Sequence, residues 1–196
     1  MTMSMEAAFR ALIAARHDEI VVLSAGNASE MWWGLTQDRD SVFYLEASMS
    51  LAPMFGAGIA LGVPQRDVWV LNGDGALVMN PGTLMVERQM DLPNLKHFVV
   101  SNRAYGSTFD AALPNAARND YPAMALALGV ARTAQFETVQ DLVAGMEEVR
   151  APGHGLFVLE VEALGRKIPA PPIDGPEMKF RFGRWLEAET GVRIFG

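Results

Sequence analysis

The feature that most constrains this chain is an alternation of short apolar runs, rich in β-branched residues, with stretches of helical spacing. The runs are Ile20–Leu23, Val42–Leu45, Val68–Leu71, Phe98–Val100 and Leu156–Val161. Apolar runs without polar alternation fit strands covered on both faces, as in a parallel sheet, where a crossover must join each strand to the next. Helical patterns fill the gaps, at about Glu30–Leu35, Leu51–Leu61, Gly82–Met90, Pro122–Leu128 and Val139–Val149. Ahead of the first run, Ser4 can cap a helix reaching about Arg16, with Phe9, Leu12 and Ile13 toward one face. The alternation predicts the α/β class: a doubly wound, mainly parallel sheet with helices on both faces.

At 196 residues the chain is expected to form one domain. After residue 163 the composition shifts to a proline cluster, Ile168-Pro-Ala-Pro-Pro-Ile-Asp-Gly-Pro, and then to a mixed-charge helical pattern at Met178–Glu189. We therefore expect a domain over 1–163 and a Pro-rich C-terminal arm with a short helix over 164–196. Half the residues are apolar, enough to build a core. With no cysteine, the chain can form no disulfide, thiolate metal site or cysteine-ligated iron-sulfur cluster of its own. A net charge of -7 argues against a nucleic-acid partner. The longest apolar stretch, Leu51–Val63, is broken by Pro53 and three glycines and is too short for a membrane span. The N-terminal segment has no signal-peptide pattern, so a cytoplasmic location is expected.

The informative chemistry lies where the run Val68–Leu71 ends in Asn72-Gly73-Asp74-Gly75-Ala76, with a helix expected a few residues on. Strand, glycine turn and helix make a phosphate-binding geometry, because the turn exposes N–H groups and the helix dipole favours an anion. An aspartate there would repel phosphate unless Asp74 holds a divalent cation that bridges to the phosphate oxygens; Mg²⁺ prefers such oxygen ligands. Asn102, following the strand Leu95–Ser101, supplies a neutral oxygen if the two strands end side by side. Taken alone, Gly73, Asp74 and Gly75 equally fit an ordinary turn into a helix.

Gly73-Asp74-Gly75 followed by Asn102 resembles the thiamine-diphosphate motif, which opens with GDG and closes with Asn. The resemblance implies Mg²⁺ bound by Asp74, Asn102 and the backbone carbonyl of Ala104, and the ion in turn holding the diphosphate. Where that motif commonly has two asparagines, this chain has Ser101-Asn102. Ala47-Ser48-Met49-Ser50-Leu51-Ala52-Pro53 is similar to the GSMG-type segment of 2-oxo-acid decarboxylases in this family. The likeness casts Met49 as the bulky residue that props the cofactor, with backbone groups of Ala47 and Met49 bonding its aminopyrimidine. Ala47 and Ser50 replace the usual glycines.

The loop after the first run, Ser24-Ala25-Gly26-Asn27-Ala28-Ser29, also sits at a strand C-terminus, so Asn27 and Ser29 are candidates for diphosphate donors or for caps of the next helix. The order from this loop through Met49, Gly73–Ala76 and Asn102 to Ala104, Tyr105, Gly106, Ser107 and Thr108 resembles the diphosphate-binding half of sulfopyruvate and phosphonopyruvate decarboxylases. That resemblance spans residues 1 to about 163. It implies a small 2-oxo acid substrate, loop residues Tyr105–Thr108 beside it, and release of CO2. Complete enzymes of the family carry a second domain whose glutamate activates the cofactor, which 196 residues leave no room for. The chain thus resembles the β subunit of a split enzyme, and the implied partner is a pyrimidine-binding α-type subunit in a hetero-oligomer with at least two copies of each. The catalytic side chain is left unassigned, and the activating glutamate is expected on the partner. A carboligase subunit like that of acetolactate synthases, or a non-catalytic subunit keeping the fold, are the competing readings.

Without its neighbours Met49 would be a core gap-filler. His17, His97 and His154 are too scattered to make a metal cluster, and Trp32 and Trp33 fit burial in a core or against another subunit.

Overall fold

The computed structural model describes residues 2–46, 48–172 and 174–196, so Ala47 lies outside the described residues. In chain order the elements are α1 (Met5–Ala15), β1 (Ile20–Ser24), α2 (Asn27–Thr36), β2 (Val42–Leu45), α3 (Ala52–Gly62), β3 (Val68–Gly73), α4 (Asp74–Met79), α5 (Thr83–Met90) and β4 (Leu95–Ser101). There follow β5 (Ala104–Tyr105), β6 (Ala111–Ala112), a 3-10 turn (Ala116–Arg118), α6 (Tyr121–Ala127), β7 (Arg132–Phe136), α7 (Val139–Arg150), β8 (Gly155–Glu160) and α8 (Gly175–Thr190).

Six strands form one parallel sheet in the order β2-β1-β3-β4-β8-β7. β1, β3, β4 and β8 are buried along nearly their whole length, which is why their sequences carry no polar alternation. The chain leaves β1 toward β2 on one side and returns to β3 on the other, with Leu23 beside Tyr44 on one flank and beside Leu71 on the other. That reversal splays the loops after β1 and β3 to opposite faces and opens a crevice at their carboxyl ends, where open α/β sheets bind ligands. β3 and β4 run in register with Gly73 opposite Val100, so Asp74 comes to the edge beside Ser101 and Asn102.

Ser4 caps α1, its hydroxyl accepting from Ala7 N–H at 3.1 Å. α3 is held close to the sheet by Gly56, where an added Cβ would run into Val70. Three elements differ from the sequence expectation. The helix after the glycine turn begins at Asp74 itself and stops at Asn80-Pro81-Gly82, so α4 and α5 stand where one helix from Gly82 was expected. β7, Arg-Thr-Ala-Gln-Phe, is a half-exposed edge strand without an apolar run to reveal it. The small β5–β6 hairpin has two residues per strand, too few for any periodicity.

α8 packs on β2 and α3 through buried Met178, Phe182 and Leu186. Phe182 meets Phe43 edge-on at 5.3 Å, Phe43 lies 4.2 Å from Phe55, and Tyr44 N–H points at the Met178 sulfur, 3.3 Å away. Trp32 is fully buried against Phe9, and Trp33 meets Tyr44 edge-on. Among the described residues no helix is long and apolar enough to cross a membrane.

Candidate functional site

A cleft lies at the β1/β3 crevice. Its walls bring together Asn27, Met49, Gly73, Asp74, Gly75, Ala76, Asn102, Ala104, Tyr105 and Gly106, residues drawn from four separate stretches of sequence. Ser107 also lines it, whereas Thr108 does not. Ser29 is a correction: it is fully buried behind the wall, and its hydroxyl is spent on the Ser24 carbonyl at 2.8 Å. That bond ties the first turn of α2 to the end of β1 but caps none of the helix N–H groups, since Gly26 in the capping position offers no side chain. Ser24 in turn ties the two strand ends together, its hydroxyl accepting from Gly73 N–H at 3.1 Å.

Asp74 is buried to 1% exposure at the first position of α4. Burial pushes its carboxyl up to about 6, against the hydrogen bonds that favour the charged form. Those bonds are unevenly placed. Oδ2 accepts from Arg103 N–H at 2.8 Å, from the Ser101 hydroxyl at 3.3 Å and from the Tyr121 hydroxyl at 3.4 Å, whereas Oδ1 accepts only from Gly75 N–H at 2.9 Å. Oδ1 is therefore the oxygen with lone-pair capacity left for a cation. Asn102 Oδ1 takes one bond from Ala104 N–H at 3.1 Å, which leaves its second lone pair. Among the described residues no group of three or more His, Asp or Glu side chains could hold a metal. A cation at Asp74 would be completed by neutral oxygens.

Across the cleft, the Asn27 Nδ2 is buried without a partner, and α2 begins beside it with its first N–H groups uncapped. Asn27 does not cap the helix, so its amide is left for whatever fills the cleft. Gly106 lies between the Asn27 and Asn102 side chains, and a Cβ there would run into the first and lie 2.9 Å from the second. A buried carboxylate with spare capacity, an orphaned amide donor and uncapped helix N–H groups around one void make a donor set suited to a cation-bridged anion. Magnesium diphosphate fits that set.

The residues that sequence reasoning missed lie behind Asp74. Tyr121 and Glu160 belong to α6 and β8, and burial raises the Tyr121 phenol so that it serves Asp74 as a donor. Arg103 and Ser101 sat inside the motif, but with no visible task. The available signal was Glu160, a carboxylate ending an otherwise apolar strand at the sheet's carboxyl edge.

Comparison with known proteins agrees with this geometry. Residues 24–161 match the family described as thiamine pyrophosphate enzyme, C-terminal TPP binding domain. Sulfopyruvate decarboxylase subunit beta of Methanococcus maripaludis is 28% identical over 165 residues, covering 84% of this chain and 88% of that one. Phosphonopyruvate decarboxylase of Streptomyces viridochromogenes is 34% identical over 133 residues, 68% of this chain and 33% of its own. The sulfopyruvate decarboxylase of Methanosarcina acetivorans is 28% identical, and this chain spans 44% of its length. Among solved structures, benzoylformate decarboxylase from Polynucleobacter necessarius superposes with a TM-score of 0.71 at 18% identity, over 87% of this chain and 34% of that one, a likeness of fold. The chain belongs to the thiamine pyrophosphate enzymes and carries their C-terminal cofactor-binding domain.

Proposed function

We propose that this chain is the diphosphate-binding subunit of a split, thiamine-diphosphate- and Mg²⁺-dependent decarboxylase. Its substrate is a small 2-oxo acid with a sulfonate or phosphonate tail. The observation that carries the reading is the buried Asp74, with spare capacity at Oδ1, beside Asn102 and across the cleft from the orphaned Asn27 amide. The names of the relatives supply the substrate class, and the M. maripaludis protein, a subunit matched over 88% of its length, supplies the split architecture. The unit that binds the cofactor is residues 1–163, with 164–196 as its C-terminal arm. The partner is a pyrimidine-binding α-type subunit, with at least two copies of each chain, working in the cytoplasm.

When bound, thiamine diphosphate supplies the electron sink that lets a 2-oxo acid lose CO2. The chain's own part is to hold and orient. Asp74, Asn102 and the Ala104 carbonyl hold Mg²⁺, while Asn27 and the N–H groups opening α2 take the diphosphate. Gly73, Gly75 and Ala76 let the backbone approach it. Met49 supports the cofactor from the wall of the cleft, and the backbone of Ala47 and Met49 bonds its aminopyrimidine ring. Tyr105 and Gly106, with Ser107, flank the substrate and limit water. The acid-base group that activates the cofactor comes from the partner.

The test is CO2 release from sulfopyruvate and phosphonopyruvate by the chain mixed with a pyrimidine-binding subunit, with and without thiamine diphosphate and Mg²⁺. Release that needs both chains and both cofactors is expected. A loaded complex that turns over neither acid would remove the substrate class, and a complex that does not load would remove the cofactor assignment.

A further inference from the structure

Arg103 stands between Asn102 and Ala104 with φ at 61°, in the left-handed region that a non-glycine residue occupies only when its surroundings impose it. Its side chain supplies that constraint. The guanidinium pairs with both oxygens of Glu160, Nε donating to Oε2 at 3.2 Å and Nη2 to Oε1. Nη1 donates to the carbonyls of Ala116 and Asn119, and the group lies over the Tyr121 ring at 5.1 Å from its centre. Glu160 is the last residue of β8, in register with Ser101 of β4, so the anchor is part of the sheet itself.

Two consequences meet at Asp74. The left-handed turn aims Arg103 N–H at Oδ2, and the guanidinium fastens residues 116–119, the far end of the excursion that begins with the Ala104–Gly106 wall, back to the start of that excursion. The Ser101 hydroxyl lies 3.3 Å from Asp74 Oδ2 and 3.2 Å from Glu160 Oε2, and with one proton it can donate to only one carboxylate at a time. The network occupies one oxygen of Asp74 and leaves the other.

We infer that Glu160 and Arg103 are positioning residues for the metal: through the Asn102–Ala104 turn they set the ligand geometry and keep Asp74 Oδ1 for the ion. This rests on the function proposed above, in that the ion is the one that holds the diphosphate. Groups that orient ligands without touching the metal commonly change affinity by about 10–100-fold when altered.

The experiment is titration of Mn²⁺, in the presence of thiamine diphosphate, into the unaltered chain and into Glu160→Gln, Arg103→Gly and Arg103→Lys, each mixed with a pyrimidine-binding subunit, with free Mn²⁺ read by electron paramagnetic resonance. Circular dichroism and the thermal midpoint of each variant establish that it is folded. Arg103→Gly keeps the left-handed backbone accessible and removes the guanidinium. Glu160→Gln and Arg103→Gly should each weaken Mn²⁺ binding about tenfold or more, with Arg103→Lys recovering part of the loss. A folded Glu160→Gln or Arg103→Gly chain that binds Mn²⁺ as tightly as the unaltered one overturns the inference and leaves the cofactor assignment standing. An unaltered chain that binds no Mn²⁺ overturns both.

Discussion

Ser50, one residue past Met49, holds φ at 70°, a conformation glycine adopts freely and serine does not. The segment resembles one that has glycine there, so the strain is the cost of the substitution. Ser50→Gly is predicted to stabilise the chain by about 1 kcal/mol in urea unfolding, and an unchanged or lower stability would mean the hydroxyl makes up the difference. At this scale the sequence was readable wherever a side chain had a chemical reason to be at the cleft. Asp74 and Asn102 stood out because an aspartate in a phosphate-type turn needs a cation. Asn27 was ambiguous between cap and donor, and only the unpartnered Nδ2 separates the two. Ser29 was indistinguishable from Asn27 in sequence, because which of two neighbouring polar residues turns inward depends on how α2 sits on β1. Tyr121 gave no signal and Glu160 only its place at the end of an apolar strand, since their link to Asp74 is made by sheet order and not by spacing.

Among the elements, the buried strands were legible because a strand covered on both faces must be apolar throughout, and Val68–Gly73 and Leu95–Ser101 are. β7 was not, because an edge strand keeps one side in water and Arg132, Thr133 and Gln135 are compatible with a loop. The C-terminal helix was legible as a helix, but its packing was not. Phe182 is 4% exposed and packs edge-on against Phe43 and at a tilt against Trp185, so α8 covers the edge strand β2 by burying aromatic surface. Phe182→Ala is predicted to cost about 3–5 kcal/mol, read as a lowered midpoint in denaturant. A loss below about 1 kcal/mol would mean that α8 sits on the sheet without stabilising it.

Across the whole molecule, a buried cluster far along the strands from the cleft joins α5, β4 and the start of β8. Glu87 meets His97 Nδ1 at 3.0 Å and His154 Nε2 at 2.8 Å, and all three side chains are almost wholly buried. Burial alone would raise the Glu87 carboxyl, but the attraction of His97 and the hydrogen bonds from His154 and His97 outweigh it and hold it down to about 2, from an ordinary value of 4.5. A folded-state value below the unfolded one contributes stability that is complete above about 4.5 and is lost as the pH falls toward 2. The thermal midpoint should therefore drop on acidification through that window, and Glu87→Gln should flatten this part of the profile. At neutral pH the variant should lose about 3 kcal/mol by taking a buried carboxylate acceptor away from His97 and His154, or about 6–12 °C for a chain of this size. A profile with the same acid slope in both proteins would show that the cluster does not carry it. On the function proposed above, the parallel sheet would supply a rigid edge for a metal and a diphosphate, with cofactor activation left to another chain.

The most direct test of that account is calorimetric titration of thiamine diphosphate into the folded chain mixed with a pyrimidine-binding subunit, with and without Mg²⁺, alongside Asp74→Ala. The account predicts saturable binding that requires Mg²⁺ and disappears in Asp74→Ala. No binding to the unaltered chain, or binding indifferent to both Mg²⁺ and Asp74, would contradict it.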